Sequence, residues 1–106
     1  MQIQGKVFAP PRHPARRRRR VNRTLVLEVS RYFYIELMKL REFGRLYASE
    51  LWFDENPRAY FCRFRLDREE EIPHGTKVIV TAELEPIFRI LESSSNYLVV
   101  KSIQRE

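Results

Sequence analysis

The sequence predicts a small, mainly β domain, a β-barrel preceded by a basic, extended N-terminal arm or loop. Three observations predict it. The chain has 106 residues, one domain's worth of polypeptide. Hydrophobic residues make up 43% of it and aromatics 12%, enough to bury a core and to exclude wholesale disorder. Four or five runs rich in β-branched and aromatic residues follow one another over about 80 residues with short connectors, and strands so arranged must close up or leave edges and one face uncovered.

The first eight residues alternate weakly, so residues 2–8 can form a short strand. Pro10, Pro11 and Pro14 then remove donors and impose extended backbone. Arg16, Arg17, Arg18, Arg19 and Arg20 follow, like charges that repel and bury nothing. Residues 24–37, TLVLEVSRYFYIEL, place Leu25, Leu27, Val29, Phe33, Ile35 and Leu37 on one face and predict a long strand. A rival period exists: Val29, Phe33, Leu37, Leu40, Gly44, Tyr47 and Leu51 share one sector of a helical wheel, so a helix within 28–52, most readily around 38–51, competes. Its costs are the poorly helical Tyr32 to Ile35 and a mid-helix Gly44.

Residues 50–53 and 59–66 flank the turn-forming Asp54-Glu55-Asn56-Pro57 and predict a hairpin. In its second arm Tyr60, Cys62, Phe64 and Leu66 share the inward face, while Phe61, Arg63 and Arg65 share the other. A charged connector, residues 67–71, leads to the turn Ile72-Pro73-His74-Gly75 and a strand over 77–84 that Pro86 stops. Residues 87–91 suit one helical turn, 93–96 a loop, and 97–103 the closing strand.

The stretch Ile72-Pro73-His74-Gly75-Thr76-Lys77-Val78-Ile79-Val80-Thr81-Ala82-Glu83-Leu84 resembles the turn-Gly-x-x-Val-x-Val-x-x-x-Leu entry into the fourth strand of OB-folds, and Tyr97 to Ile103 resembles the fifth. The resemblance covers residues 59–104. It implies a five-stranded OB-like barrel and a module that binds single strands, structured RNA or a partner protein, without implying a chemistry.

Charge divides the chain at residue 23. Residues 1–23 hold Lys6, Arg12, Arg16 to Arg20 and Arg23 with no acid, whereas residues 24–106, the expected barrel domain, hold 12 basic and 14 acidic groups, a net of −2. Arg supplies 16 of the 20 basic residues, and guanidinium pairs bidentately with phosphate where Lys acts as a point charge. Neutralising about five to eight phosphates gives affinity with a steep salt dependence and no base specificity. The expected nucleic-acid contacts are therefore Lys6, Arg12, His13, Arg16, Arg17, Arg18, Arg19, Arg20 and Arg23. Phe61, Arg63 and Arg65, with Tyr32 and Tyr34 if their strand pairs alongside, would either add an outward stacking face or make an ordinary outer face partly covered by the arm or a neighbour.

Other signals are weaker. Cys62 cannot form an internal disulfide and reads as a buried, inert thiol. With His13 in the arm and His74 in a turn, no metal or cofactor spacing is visible, and no nucleophile stands beside a base. Asp67, Glu69, Glu70 and Glu71 read as solvated charge, and Trp52, beside a turn, as core, with capping the barrel or stacking on a base as its alternatives. No apolar run approaches the roughly 20 residues of a membrane span, and no signal-peptide stretch opens the chain, so a cytoplasmic protein is expected. The expected function is non-enzymatic: a structural, ribosome-associated component of a ribonucleoprotein whose arm contacts RNA phosphates, RNA being favoured over single-stranded DNA and other proteins of the assembly being further partners. The alternatives are a single-stranded DNA- or RNA-binding OB module, or small subunit of such a complex, and a protein–protein adaptor.

Overall fold

Alternation between buried and exposed side chains decides most of the backbone. Gln2–Val7 (β1) buries Ile3 and Val7, and Thr24–Val29 (β2) buries Leu25, Leu27 and Val29. The structure, a computed structural model, describes residues 1–10, 23–86 and 96–106. Arg12, His13 and Arg16 to Arg20 lie outside the described residues, as do the helical turn expected over 87–91 and Ser93 to Ser95 of the expected loop.

The strand expected over 24–37 stops at Val29, and the helix left open around 38–51 lies earlier, as α1, Arg31–Glu42. Ser30 separates the two. Its backbone is extended (φ −68°, ψ 159°) and its hydroxyl accepts from the Phe33 N–H at 3.3 Å, which satisfies one of the helix's open donors. Apolar residues at 29, 33 and 37 fit both a period of two and a period near 3.6, so the alternation continues past Val29 although the strand does not. Leu37 is buried, and Phe33, Tyr34, Met38 and Leu40 pack half-buried on the core. Gly44, expected within a helix, ends one. At φ 72° it lets its own N–H reach the Arg41 carbonyl and the Arg45 N–H reach the Leu40 carbonyl, both at 2.9 Å, the pattern of a Schellman stop. Ser30→Ala is expected to lower unfolding stability by about 1 kcal/mol, measured by denaturant titration.

One 3-10 turn, Ala48–Glu50, leads into β3, Leu51–Glu55. Asn56 and Pro57, joined by a cis peptide bond, turn the chain into β4, Arg58–Leu66, with Glu55 opposite Arg58 as a tight hairpin requires. After the turn at Pro73 to Thr76 come β5, Lys77–Pro86, and β6, Asn96–Arg105.

The six strands form one sheet in the order β2-β1-β5-β6-β4-β3, with a further β2–β4 pairing. The pairings therefore run in a circuit, β1–β2–β4–β6–β5–β1, with β3 added beside β4. All are antiparallel except β4–β6, where Arg65 and Leu66 face Val99 and Val100 in parallel. Inside lie Ile3, Leu27, Leu46, Cys62, Phe64, Val78, Val80 and Leu98, each essentially without exposure. Because β1 pairs with both β2 and β5, residues 2–7 belong to the folded body. The basic segment thus connects two paired strands and is no free terminal arm. Gly5 permits this close approach: a Cβ there would lie 2.8 Å from the Glu28 carbonyl oxygen and 3.1 Å from Leu27 Cβ. Gly5→Ala should cost about 1–3 kcal/mol, since backbone must move to admit the methyl; a Tm equal to that of the parent chain would refute this. Among the described residues, no helix is long and apolar enough to cross a membrane.

Candidate nucleic-acid interface

On β4, Cys62, Phe64 and Leu66 enter the core and Phe61, Arg63 and Arg65 face the other way, as the alternation predicts. Register then settles what stands beside them. Phe61 is opposite Glu28 on β2 and Trp52 on β3, Arg63 is opposite Val26, and Arg65 is opposite Thr24. Lys6 is opposite both Glu28 and Lys77, so Lys77, Lys6, Glu28, Phe61 and Trp52 make one row across the sheet.

This outer face is occupied by stacked rings. Trp52 lies nearly parallel to Phe61 (centroids 5.5 Å, 20°), and Phe8, just beyond β1, covers Phe61 from another side at 4.8 Å. Phe61 is consequently only 5% exposed; it supports the stack and does not offer an open platform. What remains accessible is the half-buried Trp52, with the Arg63 guanidinium 5.3 Å above its ring. Trp52, read as core from its place near a turn, stands on the outer face instead. Tyr32 and Tyr34 are not there at all. Both lie on α1, where Tyr34 packs on Tyr60 (4.9 Å), itself against Phe53, and Tyr32 is 68% exposed beside Phe33. The strand next to β4 ends before either tyrosine, so their expected place beside Phe61 falls to Thr24, Val26 and Glu28.

Arg65 is held differently. Its Nη2 donates to Glu50 Oε1 at 3.0 Å and its guanidinium lies 4.3 Å over the Tyr97 ring, which Tyr47 meets edge-on. Glu50 has no exposed surface, whereas the Arg65 side chain is 32% exposed; Glu50 Oε2 and Arg65 Nε are buried without a hydrogen-bond partner. Burial pushes the Glu50 carboxyl above its ordinary value, against the opposing pull of Arg65 and then Arg63. Removing the cation from such a pair leaves an uncompensated buried charge, at about 3–5 kcal/mol, more than an exposed ion pair contributes. Cys62 is buried in the core, and its thiol is raised well above the usual range, first by burial and then by the Glu50 charge, which leaves it without a thiolate to react.

Both ends of the arginine-rich connection are rooted at this face. At its start the Phe8 N–H donates to the Val26 carbonyl (2.9 Å) and the Ala9 N–H to His74 Nδ1 (3.0 Å), with the His74 ring against Phe8 at 5.6 Å. At its end the exposed Arg23 accepts through its carbonyl from the Leu66 N–H at 2.8 Å, one residue past Arg65. Of the expected contacts the structure thus groups Phe61, Arg63 and Arg65 with Phe8, Trp52 and Tyr97, sets Lys6 in the same row of the sheet, and places Arg23 through its carbonyl alone. Trp52 was within reach of the sequence, because counting outward from the Asn56-Pro57 turn pairs it with Phe61. Tyr97 was not, since nothing local announces the parallel β4–β6 pairing. Among the described residues, no three His, Cys, Asp or Glu side chains are grouped to hold a metal ion. The chain matches no protein-family model, no curated protein and no solved structure.

Proposed function

We propose that this chain is a non-enzymatic nucleic-acid-binding protein that holds a single strand across the outer face of β4 and β3, with the arginine-rich connection gripping its phosphates. One observation carries the reading: the connection leaves from and returns to the face that bears the Trp52–Arg63 and Tyr97–Arg65 stacks. No arginine of the run is more than eight residues from Thr24, which limits its distance from β2 to about 27 Å of extended chain. Phosphate contacts and base stacking thus fall on one stretch of strand. Rings accept any base and guanidinium groups any phosphate, so affinity without base preference follows.

The circuit of pairings supports an OB-like barrel made of β1, β2, β4, β5 and β6, with α1 and β3 inserted between its second and third strands. In such barrels the face of the second and third strands, together with the loop joining the first two, binds oligonucleotides. Here that face is β2 and β4, and that loop is the arginine-rich connection.

Trp52 is the chain's one tryptophan, which makes the test direct. Titration with oligothymidylate or oligouridylate should quench its fluorescence to saturation, and a duplex of equal length should bind more weakly. Unchanged emission at saturation, with binding followed by anisotropy, would place the strand elsewhere and sink the reading. A second reading, a structural component of a ribonucleoprotein, is favoured by the apolar residues that α1 and its C-terminus expose, Tyr32, Ile35 and Phe43, the last at 78%. Tighter binding of a hairpin RNA than of either single strand would select it.

A further inference from the structure

We propose that Glu50 dedicates Arg65 to stacking: pinned by the buried carboxylate over the Tyr97 ring, the guanidinium plane is a nucleobase platform and not a phosphate clamp. This rests on the reading of the outer face as a single-strand site and assigns one subsite within it. Among the described residues Arg65 is the guanidinium on this face with an acidic partner, at 3.0 Å, and that partner has no exposure of its own. A phosphate that drew Arg65 away would strand Glu50, already short of one hydrogen-bond partner at Oε2, in a dry site. The guanidinium is therefore fixed in place, and a third of the side chain is still open to a ligand. A planar, weakly hydrated cation that cannot leave its position recognises a flat ring better than a mobile anion. Arg63 has the Trp52 ring beneath it and feels the Glu50 charge at longer range, but among the described residues no carboxylate pairs with it directly, so it is free to follow phosphate. Glu50 is in this sense a positioning residue: it touches no strand and decides what Arg65 does.

The experiment measures affinity of the full chain for a fluorescein-labelled 12-nucleotide oligothymidylate, and for an abasic oligomer of the same length, across a range of salt concentrations. Arg65→Lys keeps the charge and loses the plane. It should weaken oligothymidylate binding about tenfold at every salt concentration, within the span that one stacked base supplies, and leave abasic binding unchanged. Glu50→Gln frees Arg65, so the plot of log affinity against log salt should steepen by about 0.7, one phosphate's worth for a single strand. A merely structural Glu50 would lower affinity without steepening that slope. The proposal is overturned if Arg65→Lys binds oligothymidylate as the parent does, or if its loss appears equally with the abasic oligomer. Should the parent protein itself bind both oligomers equally, the single-strand face falls, and this subsite with it.

Discussion

Replacing Arg16 through Arg20 together by glutamine should weaken single-strand binding by roughly three orders of magnitude at physiological salt while leaving Tm within a few degrees of the parent. The size follows from counterion release. Each phosphate neutralised on a single strand adds about 0.7 to the slope of log affinity against log salt. Five contacts make about 3.5, and the interval between 0.15 M and 1 M salt converts that into nearly a thousandfold. The loss should therefore shrink as salt is raised, and the two proteins should converge near 1 M. Stability should hold because the connection is fastened by residues outside the run, Phe8, Ala9 and Arg23. Replacing the five by lysine separates charge from shape: the slope should survive, and any affinity lost measures the bidentate guanidinium contact. A glutamine variant with the parent's slope would show that the run neutralises no phosphate, whatever the rest of the face does.

Much of this arrangement was legible in residue order, and the illegible part has identifiable physical causes. Alternation placed β1, β5 and β6 and put Phe61, Arg63 and Arg65 opposite Cys62, Phe64 and Leu66, because a half-buried strand has little freedom to present its residues otherwise. The hairpin is visible for a different reason, the turn-forming cluster Asp54-Glu55-Asn56-Pro57 between two strand-like runs. Residues 31–37 read as strand because Leu25 to Leu37 satisfy two periods at once, and the decision lies with a single capping serine, Ser30, that hydrophobicity does not register. Charge asymmetry identifies the basic segment as an arm or loop without deciding between them, since that depends on which strands residues 2–8 pair with, and β1 pairs with both β2 and β5. Glu50 is the hardest case. Nothing in a carboxylate between Ser49 and Leu51 announces that it will be dry; that depends on Arg65 and Tyr97, brought together by the parallel pairing of β4 with β6.

That buried carboxylate leads to the second large effect, on stability. Arg65→Gln is expected to cost about 3 kcal/mol at pH 7.5, the low end for a stranded buried charge because Arg65 is itself partly exposed. The loss corresponds to roughly 10–15 °C in Tm for a domain of this size. Glu50→Gln should cost less than about 1 kcal/mol or be stabilising, since the arginine it frees can reach water while the amide needs no counter-charge. The asymmetry has a pH signature. The folded-state pKa of Glu50 lies above its ordinary value of 4.5, burial being the larger cause, so between those two pH values the folded chain holds a proton that the unfolded chain has released. Stability from this group therefore rises as pH falls through the folded pKa toward 4.5, the reverse of a salt-bridged carboxylate with a depressed value. Removing Arg65 removes its charge and its hydrogen bond and leaves Arg63 as the remaining downward pull, so the pKa rises further and the window widens. Denaturant titrations from pH 8 to pH 5 should then show the Arg65→Gln deficit shrinking on acidification, with Glu50→Gln lacking the parent's acid-side gain. A deficit of equal size at both ends would mean that Glu50 is hydrated once its partner is gone, and that the pair is not the dry contact on which the fixed guanidinium depends.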